Sequence, residues 1–369
     1  MKSITSLFLV LTTCAACGSS STPPAAEPPA LPEQPPPSAA IEPAPESPPA
    51  PAPDPEAAKK AEEAQKLAAD RAKVESEIAA ERARFTPELR DRTSALAQKK
   101  YPNTRAALAV VLKSPHREPG NPERDAARHP LQTLEFFGLK PTMSVLEYGP
   151  GEGWFTEILA PVLATRGKLY VTSVDPNGPK EVRSTMYAER TKAFLEKAPE
   201  LYGKVETVIF DDKNPDLKLD SQIDVVLVMR GMHGWIRNNR VEHWLTEIHQ
   251  ALKPNGVLGI EQHRAKPDSD PAEGPKTGYL PEAWVIQQVE AAGFKLAAKS
   301  EINANPKDTK DHPEGVWALP PTLRLGDKDR EKYAAIGESD RMTLRFVKRA
   351  APATAKPAAT SSANPGQKS

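Results

Sequence analysis

Residues 101–349 predict an α/β fold, a doubly wound and mostly parallel sheet of seven strands whose last strand runs antiparallel. Three observations carry this expectation. Short β-rich runs alternate with apolar helical stretches, the pattern of successive βαβ units. The first run leads through a glycine-rich turn into a helix. The sixth and seventh runs have no clear helix between them, which suggests a closing antiparallel pair.

In chain order the strands are expected at 144–148, 168–174, 205–210, 224–229, 256–261, 295–302 and 342–348. Helical patterning covers 105–112, 131–138, 154–164, 241–252 and 281–292. Ahead of this body the composition changes twice. Of the 40 prolines among 369 residues, fifteen fall between Pro23 and Pro55, a stretch with almost no aromatic or large aliphatic residue. Such a segment cannot bury enough apolar surface to offset chain entropy, so 18–55 reads as a disordered linker. Residues 56–100 are rich in alanine, glutamate, lysine and arginine and read as helix. Their large apolar residues, Leu67, Val74, Ile78 and Phe85, do not sustain a heptad, so a solvated stalk is expected rather than a coiled coil. Residues 350–369 read as a disordered tail.

The first 17 residues combine one lysine, a short apolar stretch and small residues before cysteine, the layout of a signal peptide. Ala15-Ala16-Cys17-Gly18 looks like a bacterial lipoprotein signal with Cys17 as the acylated residue; Leu11-Thr12-Thr13-Cys14 is a weaker match. A plain secretory signal cleaved after Ala16 is the other reading. On either, the protein leaves the cytoplasm, and on the first it is lipid-anchored to a bacterial membrane facing the periplasm, its only membrane contact. Both cysteines of the chain lie in this leader, which excludes cysteine catalysis, a disulfide or a Cys-ligated metal in the folded body. Lysine plus arginine and aspartate plus glutamate both number 49, so no basic excess points to a nucleic-acid partner.

The first strand ends in Glu147-x-Gly149-x-Gly151-x-Gly153. Glycines let the chain turn sharply and bring backbone N–H groups against a ligand, and the helix that follows favours an anionic group. A dinucleotide loop would need its third glycine at Trp154, where an indole stands. Asp175 follows the second strand, placed to accept two ribose hydroxyls, and Asp211 and Asp212 follow the third, either able to bond an adenine amino group. An acidic residue followed by G-x-G-x-G resembles motif I of the class I S-adenosylmethionine-dependent methyltransferases. Arg128-His129-Pro130, the stretch LQTLEFFGLKP and the block NANPKDTKDHPEGVWALPP extend the resemblance to a bacterial family of predicted class I methyltransferases, often with exported-type leaders, across 114–348. It implies a Rossmann-like methyltransferase sheet and S-adenosylmethionine as cofactor. No substrate follows from it.

Ligands of doubly wound sheets lie outside the carboxyl ends of the strands. After the fourth strand comes Arg230-Gly231-Met232-His233; at the end of the fifth, Glu261-Gln262-His263. His233, His263 and Glu261 are therefore the candidates to orient or deprotonate a nucleophile. An acceptor held by an N-P-P-[YF] element is not indicated, and a small molecule is the expected substrate. The connection 303–341 should start and finish beside the pocket, with His312 or Trp317 touching the substrate as a lid. Asp308, Asp311 and His312 match no established metal spacing, so no metal is expected. Export away from the cytoplasm leaves an alternative, a non-catalytic lipoprotein that keeps the pocket as a sensor or scaffold.

Overall fold

The computed structural model describes residues 55–349 apart from Asp212. The leader with Cys17, the linker short of its last residue, the tail, and the adenine role given to Asp212 lie outside the described residues. Seven strands, β1 (Ser144–Tyr148), β2 (Lys168–Ser173), β3 (Glu206–Ile209), β4 (Ile223–Met229), β5 (Leu252–His263), β6 (Phe294–Ser300) and β7 (Arg341–Lys348), form one sheet in the order β3-β2-β1-β4-β5-β7-β6. Strands β1 to β5 pair in parallel, whereas β7 lies antiparallel between β5 and β6. This is the Rossmann-like methyltransferase sheet that the sequence predicts. β5 starts earlier than expected because Leu252 already pairs with Ile223 before the register shifts to Val225 and Val257. The strand order reverses between β1 and β4, and this opens a crevice at their carboxyl ends.

Period-two side-chain alternation separates the two apolar layers. Val145, Val171, Val225 and Leu227 face one layer, with Leu108, Leu134, Ile158 and Leu159 from its helices. Leu146, Val226, Val228 and Ile260 face the other, with Trp244, Ile248, Val285 and Val289. No helix among the described residues is long and apolar enough to cross a membrane.

The segment 56–100 differs from the solvated stalk expected of it. It forms two helices, α1 (Pro55–Arg84) and α2 (Pro87–Gln98), and both dock on the body. Leu67, Val74, Ile78 and Phe85 recur at intervals of seven, four and seven residues, which places all four on one face of a 3.6-residue helix. That stripe is too narrow for a coiled coil but sufficient to lie on one neighbour. Leu67, Val74 and Ile78 pack against Met186, and Phe85 enters the main core. The neighbour is the helix Arg183–Glu196, for which the sequence showed no clear apolar period. Polar residues on its outer face are ion-paired rather than solvated: Arg71 reaches Glu189 at 2.6 Å, Arg190 reaches Glu77 at 3.0 Å, and Lys197 reaches Glu81 at 3.1 Å. α2 opens with Thr86 as its cap, proline at its first position, and Leu96 buried in the core.

Candidate active site

The three glycines after β1 do two different jobs. All three have positive φ, at 58°, 59° and 82° for Gly149, Gly151 and Gly153. A Cβ on Gly149 or Gly151 would meet nothing within 4 Å, so these positions face open space and their backbone is accessible. A Cβ on Gly153 would come within 2.5 Å of the Phe194 ring, so this glycine is required by packing. The Gly149 N–H donates to Thr172 Oγ1 at 2.8 Å, which ties the loop to β2. The following helix, Thr156–Leu163, starts after Trp154 and Phe155. The Trp154 indole is buried, donates to the Asn121 carbonyl at 3.0 Å and lies under the guanidiniums of Arg117 and Arg128.

Glu147 sits beneath the loop. It is 2% exposed and accepts the Thr156 hydroxyl at 2.8 Å, an arrangement that positions the loop from below. Burial pushes its carboxyl up to about 7, against the Thr156 bond and the charge of Arg230. Asp175 stands exposed just past β2; its Oδ1 accepts from the backbone and side-chain amides of Asn177 at 2.8 and 3.1 Å, and its Oδ2 accepts no hydrogen bond among the described residues. Asp211, past β3, accepts the Lys213 N–H at 2.8 Å. Open backbone at the β1 end and carboxylates past the next two strands suit a nucleoside: hydroxyl and amino donors would meet acceptors, and no Cβ fills the cradle.

Beyond the switch point lies a cavity of about 420 Å³. Glu152 of the glycine loop borders it, as do His233, His263 and Trp317, so it adjoins the cradle. Gln262 Nε2 donates to His233 Nδ1 at 3.4 Å, and His263 Nδ1 shares a 2.5 Å hydrogen bond with Ser339 Oγ. The imidazoles are 6.0 Å apart, and Trp317 meets His233 edge-on at 5.8 Å. Burial lowers His233 to about 4, the Gln262 bond opposing and Arg237 and Arg230 adding to it. Burial foremost, then His233 and the guanidiniums of Arg230, Arg341 and Arg128, holds His263 well below its usual value. Both rings are therefore neutral at neutral pH and are weak bases.

Glu261 is fully buried, with Oε1 2.8 Å from both Arg230 Nη1 and Arg341 Nε. Its carboxylate is a counterion, and it does not border the cavity. Of the two lid residues, Trp317 reaches the cavity. His312 turns away, its Nε2 2.9 Å from Asp308 Oδ1 and its ring against Tyr333. Asp308 also accepts the Tyr279 hydroxyl, whereas Asp311 is exposed and pairs with Lys266 at 3.3 Å. Both ends of 303–341 are tied at the sheet edge, where the Arg341 N–H donates to the Asn303 carbonyl at 3.1 Å.

Sequence reasoning missed the arginines as a group. Glu338 lies 3.3 Å from Arg124 Nε, 3.0 Å from Arg128 Nε and 2.7 Å from Arg341 Nη1. Burial works to raise the Glu338 carboxyl, but the charges of Arg128, Arg341, Arg230 and Arg124 outweigh it and hold it at about 2. Arg230 directly follows β4 and takes φ 59°, unusual for a residue with a side chain and of the kind met at functional sites. Its place after a strand end was the one available signal.

Residues 123–299 match a family described as a methyltransferase domain. No curated protein matches the chain. Similar solved structures include a SAM-dependent methyltransferase from Aquifex aeolicus, at 20% identity over 61% of this chain and 93% of that one, TM-score 0.40. A TehB-like SAM-dependent methyltransferase from Corynebacterium glutamicum is similar at 14% identity over 58% and 85%, TM-score 0.36. The [4+2]-cyclase SpnF is similar at 16% identity over 69% and 99%, TM-score 0.43. The family match runs from the turn before Arg124 into β6 and so contains the glycine loop, Asp175, His233 and His263; over these residues the chain is similar to a methyltransferase domain, which supports S-adenosylmethionine as its cofactor.

Proposed function

We propose that this protein transfers the methyl group of S-adenosylmethionine to a small-molecule acceptor held in the cavity between His233, His263 and Trp317. The observation that carries this reading is the open pair Gly149 and Gly151 at the β1 end, with carboxylates past β2 and β3 and an adjoining half-open cavity across the switch point. When bound, the cofactor supplies an electrophilic sulfonium methyl. An acceptor lone pair would meet that methyl, so the chain's own contribution would be proximity and exclusion of water. The backbone of Gly149 and Gly151 lines the cofactor's side, and Asp175 Oδ2 accepts from its ribose. Trp317 and the buried imidazoles wall off the acceptor's side. As neutral rings, His233 and His263 orient an acceptor by accepting hydrogen bonds.

Calorimetric titration of the full chain is expected to show micromolar binding of S-adenosylmethionine or S-adenosylhomocysteine, about 8 kcal/mol. Absence of heat with either at millimolar concentration would sink the reading. Asp175→Ala should weaken binding by on the order of 1–2 kcal/mol through one lost charged acceptor, and an unchanged affinity would place the ribose elsewhere. The weak basicity of both imidazoles favours one other reading, a non-catalytic binder of a small ligand. It is supported instead if the ligand binds while no labelled methyl leaves it with any acceptor.

A further inference from the structure

Four guanidinium groups converge on the cavity, from Arg124, Arg128, Arg230 and Arg341. Two buried carboxylates answer them, Glu338 and Glu261. The remaining carboxylate at the cavity, Glu152, lies 3.4 Å from Arg190, and Lys73 of α1 adds a further cation at the rim. With Glu147, its carboxyl at about 7, also beside Arg230, one to two positive charges are left over in a half-open cavity. Arg128 is 4% exposed, yet only its Nε hydrogen-bonds to Glu338; its two terminal amino groups make no hydrogen bond among the described residues. Uncompensated buried charge is costly and calls for a counterion. The guanidinium fork matches carboxylate and phosphate oxygens in particular.

We propose that the acceptor subsite takes a small organic anion, its carboxylate or phosphate held by Arg124, Arg128 and Arg230. The inference rests on the methyltransferase reading for what happens to that anion, but not for its binding. It also answers an electrostatic difficulty of that reading. A sulfonium cation beside excess guanidinium charge is repelled unless a negative group lies between them. An ionised oxygen nucleophile removes the need for a strong base, which neither imidazole provides: its lone pair takes the methyl, the carbon–sulfur pair goes to sulfur, and no proton moves. The volume of about 420 Å³ suits a molecule of a few rings.

The test uses the full chain and two isosteric probes, benzoate and benzamide, with phenyl phosphate as a second anion. Each is titrated by calorimetry with and without saturating S-adenosylhomocysteine. The anions should bind about tenfold or more tighter than benzamide, with the preference falling as salt rises. Arg230→Gln should abolish the preference. Because that change also removes one of the two partners of Glu261, Arg124→Gln at the more exposed rim serves as the second variant and should reduce it about threefold or more, with S-adenosylhomocysteine affinity kept. Equal binding of benzoate and benzamide, or no binding of either anion, overturns the proposal and leaves the methyltransferase reading standing. Displacement of the anions by S-adenosylhomocysteine also overturns it, since the arginines would then be serving the cofactor's own carboxylate. Arginine-dependent anion binding without any S-adenosylhomocysteine binding supports the anion site and removes the methyltransferase reading.

Discussion

Gly151 and Gly153 have the same backbone requirement but different surroundings, so alanine should separate their roles. Gly153→Ala combines positive φ with a collision against Phe194 and is expected to destabilise the fold by on the order of 2–4 kcal/mol in urea unfolding. Gly151→Ala meets no neighbour and should cost only about 1 kcal/mol of strain, while weakening S-adenosylhomocysteine binding. Comparable losses of stability at both positions would contradict the division of labour. The buried histidines make a prediction with pH. His116, like His233, is lowered to about 4, first by burial. Their folded values lie below the unfolded one near 6.5, so the unfolded chain binds more protons between pH 6.5 and 4. Stability is therefore full above pH 6.5 and is lost as pH falls through that window. Glu147, raised to about 7, acts in the opposite sense, its contribution present at low pH and lost as pH rises from 4.5 through 7. Three buried histidines, His116, His233 and His263, outweigh the two raised carboxyls, Glu147 and Glu157, so melting temperature should fall from pH 7 to pH 4.5. His116→Gln should flatten the fall, and Glu147→Gln should steepen it.

Among the elements, α1 changes the meaning of the region ahead of the sheet. It covers the helix Arg183–Glu196, and Arg71 Nε donates to the Lys180 carbonyl at 2.9 Å. Lys180 belongs to the same connection as Asp175, so α1 braces the loop that would hold a ribose. Val74→Asp places a charge at a position 7% exposed and should detach α1 at a cost of about 2–3 kcal/mol. Hydrogen exchange is the measurement: amides of 60–84 and 176–183 should lose protection while those of β1 and β4 keep theirs. Unchanged protection at 176–183 would mean that α1 is a passive cover.

At the scale of the whole molecule, the first 17 residues read as an export-type leader, whereas the cofactor proposed for the body is a cytoplasmic metabolite. We propose that the protein is exported and anchored through a lipid on Cys17, which supports either a sensor role or methyl transfer where some cofactor is available. Labelled palmitate should enter the wild-type chain and Cys14→Ala but not Cys17→Ala. Incorporation lost only with Cys14→Ala moves the site to Cys14, and incorporation unaffected by either change removes the anchor.

Strand number, the closing antiparallel pair, the glycine turn and the position of Asp175 past β2 were legible in the sequence because each depends on local properties. Period-two patterning, backbone freedom at glycine and distance from a strand end are all written within a few residues. The docking of α1 was half legible: the 7-4-7 spacing was present at Leu67, Val74, Ile78 and Phe85, but no local pattern said what that face would meet. His312 and Trp317 lie only five residues apart, yet one points into a buried Asp308 and the other into the cavity. Arg128 and Glu338 are separated by 210 positions, and Arg230 meets Glu261 and Arg341 only because β4, β5 and β7 are neighbours. Only tertiary structure decides such a cluster, since the charge left uncompensated in a cavity is a sum over residues brought together by strand order, and periodicity along the chain carries no record of that sum.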